Sequence, residues 1–304
     1  MYASFAMTEH RRAWLQMHFC VLSWGFTGIL GKLITLHPLA LVWWRMLIVA
    51  GALLLVRRFW VGVLQMSLRS IVIFSGIGVL LSLHWVTFYA AIKLANASVA
   101  ATCMAVTPVI IALIEPAIAR RAFDVRELLF GVAAIPGVAL VVGGTPEEMR
   151  VGVAVGVASA GFIAVVSCLN KRFAAPVSAL GVTGVEMAAG VLFLPLLAPF
   201  VQSDAAWLAW PSQHDVVLLL VLAFACTLLP FALSLVALRR LSAFGSALAV
   251  NLEPVYTIVL AILLFNEQRQ LGLGFYAGTA ILLVAVFSHP LLVRQAAAPH
   301  DAPA

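Results

Sequence analysis

Five ionisable residues stand inside otherwise apolar stretches: Arg45, His84, Glu115, Glu186 and Glu253. Ionisable side chains are costly to hold in hydrocarbon, so each is a candidate for ligand or proton binding. A carboxylate at Glu253 could titrate a proton or hold an amine. It could equally bond a neighbouring helix and steady the chain at Pro254. Arg45 could bind an anionic group, pair with a carboxylate, or snorkel to a nearby helix end. Glu115 could form a gate contact or pair with Arg120. Glu186 has only Thr183 and Gly190 as small or polar company and reads as a helix-packing residue.

Helical projection sorts these groups by face, at about 100° per residue. Ser242, Ser246, Ala249, Glu253 and Thr257 fall on one small and polar stripe, which belongs toward the interior of a bundle. Asn251 lies on roughly the opposite side, about 200° from Glu253, so the projection points only Glu253 into a cavity. Ser98, Thr102, Ala105, Pro108, Ala112 and Glu115 form a second such stripe. Pro108 and Pro254 each remove a helical hydrogen bond and predict a kink or a free carbonyl beside a cavity. In a third segment His84 lies with Leu81 and Phe88, while Ser82, Trp85 and Tyr89 share another face. His84 and Tyr89 are cavity candidates, with an interfacial aromatic belt as the alternative. Trp24 sits near mid-depth on a stripe with Gly28 and Gly31, suited to a cavity wall or close packing.

Other chemistry is excluded. No His-Glu-x-x-His motif occurs, Glu147-Glu148 falls in a turn, and no aspartate lies within an expected span except near its ends. An intramembrane enzyme would need a nucleophile with its base, paired aspartates or a metal cluster. A receptor or scaffold reading lacks a soluble effector module. The run from Gly25 to Lys32 imitates a phosphate loop but has Phe26 and Leu33 where glycine and Ser or Thr are required. Cys20, Cys103, Cys168 and Cys226 show no metal or disulfide spacing. No cofactor, metal or nucleic acid is expected.

The elements that position these residues follow from composition. Of 304 residues 64% are hydrophobic and 10% charged, with mean hydropathy +1.10. A soluble domain would carry about a quarter of its residues as charges. The lipid bilayer is therefore the first partner, and a small molecule the second. Lipid cannot satisfy backbone polar groups, and long apolar runs without alternation select helices over a barrel. The fold class is all-α membrane protein, with spans expected at 14–31, 40–56, 70–92, 96–118, 126–143, 151–170, 178–199, 215–237, 243–265 and 270–288. The first is read as an uncleaved span.

Basic pairs at Arg11-Arg12, Arg57-Arg58, Arg120-Arg121, Lys171-Arg172 and Arg239-Arg240 all fall on one side of this threading. Only Lys32, Lys93, Arg150 and Arg269 fall on the other. The asymmetry predicts cytoplasmic termini and an even number of spans in an inner membrane. The net charge of +6 is distributed as helix-end pairs and forms no phosphate-binding stripe.

The chain also repeats itself. Asn96-Ala-Ser-Val-Ala-Ala-Thr-Cys-Met-Ala-Val-Thr-Pro108-Val matches Ser242-Ala-Phe-Gly-Ser-Ala-Leu-Ala-Val-Asn-Leu-Glu-Pro254-Val in layout. Arg45-Met46 and Glu186-Met187 fall at similar depths. Five spans per half give halves of opposite orientation, a recurrent build of secondary transporters. The expected division is residues 1–144, residues 145–290 and a disordered tail from 291 to 304.

Ser23-Trp24-Gly25, Arg45, Pro108-Val109, Asn251-Leu252-Glu253-Pro254-Val255-Tyr256 and Leu264-Phe265-Asn266-Glu267 together resemble the drug/metabolite transporter superfamily in its ten-helix EamA-type branch. The resemblance spans nearly the whole chain. It implies two inverted five-helix repeats around a central cavity and export of amino acids or related metabolites. It adds Tyr256 to the cavity candidates. A proton or another coupling ion would drive transport, and a monomer containing both halves would suffice. The family often places a glutamate after the fourth span, where this chain reads Ala119-Arg-Arg-Ala-Phe. A role for that glutamate in the first half is therefore not expected.

Overall fold

A computed structural model of the chain describes residues 2–119, 135–173, 178–201, 210–238, 241 and 249–296. Every regular element among them is helical. We number α1 Tyr2–Leu33, α2 Pro38–Leu54, α3 Arg57–Leu64, α4 Leu68–Leu94, α5 Ala97–Met104 and α6 Thr107–Ala119. They are followed by α7 (135–143), α8 Arg150–Phe173, α9 Ala179–Val201, α10 Gln213–Leu220 and α11 Leu229–Leu238, the last two joined by a π-helical stretch, Val221–Leu228. Finally come α12 Glu253–Phe265 and α13 Leu273–Ala296.

Local chemistry explains where these helices start and stop. Ser67 accepts from Ser70 N at 3.1 Å, Asn96 from Val99 N at 2.9 Å and Ser212 from Asp215 N at 3.1 Å. Each satisfies one orphan donor of a first turn. Pro38 opens α2, where its missing N–H costs nothing. Asn266 ends α12 at φ 53°, the left-handed conformation that asparagine tolerates better than most residues.

Among the described residues five helical stretches are long and apolar enough to cross a bilayer: Leu68–Leu94, Ala97–Ile118, Glu147–Phe173, Ala179–Val201 and Gln213–Phe231. A sixth arises if α2 and α3, which bend by 91°, count as one. Glu253–Phe265 and Leu273–Ala285 are shorter apolar helices. Residues 126–134 of the expected fifth span and 243–248 of the expected ninth lie outside the described residues. The expected inner loop after Arg57 contains a helix instead. There α3 lays Phe59 against Gly184 and Gly62 against Ser178 of the α9 end. At the C-terminus, α13 continues past Leu291 to Ala296, and 297–304 lie outside the described residues.

The largest apolar cluster joins α2, α4, α9 and the π-helical stretch through Leu41, Met46, Phe74, Tyr89, Met187 and Leu222. Helix α4 also runs along α8. Close approach depends on glycine at two places. A Cβ at Gly78 would meet the backbone of Glu186, 2.7 Å from its Cα, and one at Gly144 would meet the backbone of Phe275. All four cysteines are buried and none forms a disulfide.

Candidate functional site

A cavity of about 330 Å³ lies where α1, α2, α4, α6, α8, α11 and α12 converge. Its wall includes Trp24, Arg45, His84, Pro108, Glu253 and Pro254. Six of the nine sequence candidates are thus brought together. The two prolines hold equivalent places, each the second residue of its helix. Before Pro108 the chain leaves α5 and restarts as α6. Before Pro254 a turn at Asn251-Leu252 precedes α12. At both expected kinks the α-helix is interrupted by a two-residue turn, Ala105-Val106 and Asn251-Leu252.

The breaks correct one inference from periodicity. Asn251 and Glu253 both line the cavity, although an ideal helix would set them on opposite sides. The 100° rule holds only along continuous helix, and Asn251 precedes the first turn of α12. The upper part of the Glu253 stripe, Ser242 and Ser246, lies outside the described residues. Thr257 bonds the carbonyl of Gly25 at 3.1 Å and anchors α12 to α1.

Arg45 is the charged centre of the wall. It is 3% exposed, so it is held inside the bundle and does not snorkel. Its Nε donates to Thr227 Oγ1 at 3.0 Å and its Nη1 to the Tyr89 hydroxyl at 2.9 Å. Its guanidinium carbon lies 3.8 Å from the centre of the Trp85 ring. Thr227 is available because the π-helical stretch places its hydroxyl on Leu222 O, five residues back, at 2.8 Å. No carboxylate pairs with Arg45 among the described residues. Glu253 shares the cavity, and no side chain among the described residues bonds its carboxylate. The hydroxyl of Thr107, also in the wall, is buried without a partner.

Aromatic and aliphatic groups complete the enclosure. Trp24 and Phe231 meet edge to face at 6.1 Å, and Leu81, Trp85, Phe88 and Ile111 add apolar surface. His84 combines cavity and packing roles. Its Nδ1 lies 2.9 Å from Ser159 Oγ, which donates to His84 O at 2.8 Å, locking α4 to α8. Tyr89 stands behind the wall, orienting Arg45. His84, Trp85 and Tyr89 are all buried, so they form no interfacial belt.

Two candidates lie elsewhere. The Tyr256 hydroxyl is 3.3 Å from His18 Nδ1. Glu115 pairs with Lys171 at 2.5 Å, beside a bond from Arg172 to Ile118 O. Arg120, its expected partner, lies outside the described residues.

Sequence reasoning missed the groups that seal the other end. Glu267 is fully buried and accepts from Lys32 Nζ at 2.6 Å, Ser98 Oγ at 2.6 Å, Ser98 N at 2.8 Å and Ala97 N at 3.2 Å. A carboxylate at the first turn of α5 satisfies orphan N–H groups and complements the helix dipole. Asp215 likewise accepts from Thr35 N at 2.8 Å and Thr35 Oγ1 at 2.6 Å. Lys93 bonds Ile34 O, and Gly272 N donates to Gly144 O at 3.0 Å. Glu267 was marked in the sequence only as part of the motif carrying the family resemblance, and its position after an apolar run gave no sign that it is buried.

This arrangement can enclose a small molecule, offering a cation, a carboxyl group and an apolar wall. One crystal structure of a protein shares the fold, with TM-score 0.60 at 19% identity, covering 95% of this chain and 99% of that one. No curated protein matches the chain. The model of the EamA-like transporter family matches twice, over residues 12–143 and 150–288. Two matches that together take in almost every helix described above settle the family: the chain is a membrane protein belonging to the EamA-like transporters.

Proposed function

We propose that the protein is a secondary transporter that moves a small zwitterionic metabolite, an amino acid or close relative, by alternating access. Arg45 and Glu253 carry this reading. They are a guanidinium and a carboxyl group in one cavity, and among the described residues neither is paired with the other or with a further side chain. A ligand with a carboxylate for Arg45 and an ammonium for Glu253 completes both, and its side chain rests against Trp24 and Phe231. An arginine fork suits a carboxylate because its N–H groups are coplanar.

The transport cycle uses ten spans in two inverted repeats, residues 1–144 and 145–290, with both termini in the cytoplasm of a cell bounded by this inner membrane. The doubled family match and the paired breaks before Pro108 and Pro254 support that layout. Pro108 and Pro254 mark the hinges. The Glu267 and Asp215 networks close the outer end in this conformation, and export follows when they part. A single chain holds both halves and works as a monomer.

Counterflow of radiolabelled amino acids in proteoliposomes tests the reading. Preloaded unlabelled substrate should drive transient accumulation, and Arg45→Gln and Glu253→Gln should each abolish it. Counterflow of a purely cationic or purely anionic solute, with no response to zwitterions, would reject the assignment.

A further inference from the structure

Two buried oxygen acceptors without donors stand together behind the cavity. Glu186 on α9 is 5% exposed. The Asn170 side chain of α8 stands beside its carboxylate, and Glu186 Oε1 and Asn170 Oδ1 are both buried with no hydrogen-bond partner among the described residues. Buried polar atoms are nearly always satisfied, and a bare carboxylate out of water requires a cation or a proton.

No neighbouring cation among the described residues fills that need. Glu186 is the one ionisable residue of α9. On α2, Arg45 is engaged by Thr227 and Tyr89. On α3, Arg57 and Arg58 are exposed, as are Arg69 of α4 and Lys171 and Arg172 of α8. Lys93 bonds Ile34 O at the far end of α4, and Arg150 bonds Glu147 at the far end of α8. His84 bonds Ser159, and Cys168 is a buried thiol. Asn170 is the polar side chain that stands beside Glu186 among the described residues.

A proton supplies both missing elements. On Oε1 it removes the charge and adds a donor beside two acceptors. We propose that Glu186 and Asn170 form a proton-binding site, separate from the substrate cavity, that loads and unloads once per transport cycle. In loading, an O–H bond forms at Oε1 with a proton taken from water; in unloading that bond breaks and the proton returns to water. No electrons are transferred. The route to the cavity runs along α8, where exposed Ser167 lines the wall one turn before Asn170. Gly78 seats α4 directly on the backbone of Glu186, so a change at this carboxyl reaches the helix that carries His84 and Trp85. The assignment rests on the transporter reading for its coupling role and on burial and bonding for the site itself.

Infrared difference spectroscopy of the purified protein separates the two. The protonated-carboxyl stretch should titrate with pH in wild type and in Glu253→Gln, and its Glu186 component should vanish in Glu186→Gln. A Glu186 band that is absent, or constant across the pH range, overturns the site. In proteoliposomes, Glu186→Gln should retain counterflow and lose at least tenfold of the stimulation by a pH gradient. Equal stimulation of both proteins, or none in wild type, overturns the coupling. Absence of counterflow in wild type rejects the transporter reading, and the infrared result still decides whether Glu186 exchanges a proton.

Discussion

The guanidinium carbon of Arg45, a residue 3% exposed, lies 3.8 Å from the centre of the Trp85 ring. A desolvated cation–π contact contributes about 2 kcal/mol. Together with Thr227 and Tyr89 it fixes a planar donor set at the cavity.

Lysine cannot reproduce that geometry. Arg45→Lys keeps the charge but cannot donate to Thr227 and Tyr89 in one plane over Trp85. We predict that its counterflow KM rises about tenfold or more, equivalent to about 1.4 kcal/mol, with Trp85→Phe affected less. An unchanged KM in Arg45→Lys would show that the fork does not recognise the ligand.

Glu267 and Lys32 form the main ionic tie at the sealed end. Glu267→Ala strands Lys32 and two N–H groups of α5, at a cost of about 3–5 kcal/mol. Lys32→Met should cost less, because Ser98 and Ala97 still donate to the carboxylate. Thermal melting in detergent orders the two variants. A larger loss in Lys32→Met would contradict this account.

Gly76 and Gly78 make a controlled pair on α4. A Cβ at Gly76 meets nothing within 4 Å, whereas one at Gly78 meets the Glu186 backbone, which cannot rotate away. Gly76→Ala should therefore stabilise by about 0.5–1 kcal/mol, and Gly78→Ala should destabilise by about 1–3 kcal/mol. Melting temperatures moving in the same direction would refute the packing described here.

Thr107 carries a buried hydroxyl without a partner in the cavity wall. Thr107→Val removes an unsatisfied group at nearly constant shape and should stabilise the ligand-free protein by about 1 kcal/mol. If the hydroxyl bonds the transported molecule, the same change weakens binding. Opposite signs in a melting curve and a binding isotherm are the expected result; parallel gains would remove Thr107 from recognition.

Single-cysteine labelling from each side of sealed membranes tests the topology. Reporters at the two ends should both label from the cytoplasm. Labelling from opposite sides would break the inverted-repeat arrangement on which the functional reading depends.

Composition alone determined that this is a helical membrane protein, because 64% hydrophobic residues arranged without alternation leave no other way to satisfy the backbone in lipid. Expense in hydrocarbon singled out Arg45, His84 and Glu253, and the stripe and proline patterns added Trp24, Pro108 and Pro254; all six line one cavity. Their meeting, however, was decided by tertiary structure. A helical period assigns a residue to a face, but it does not say which helix that face meets. Hence Glu115 met Lys171, Tyr256 met His18, and Tyr89 retired behind the wall to orient Arg45. Asn251 entered the cavity because the chain breaks before Pro254 and the periodic projection stops there. Glu267 became the buried cap of α5 through contacts 169 and 170 residues away in sequence, a distance at which no local pattern carries information.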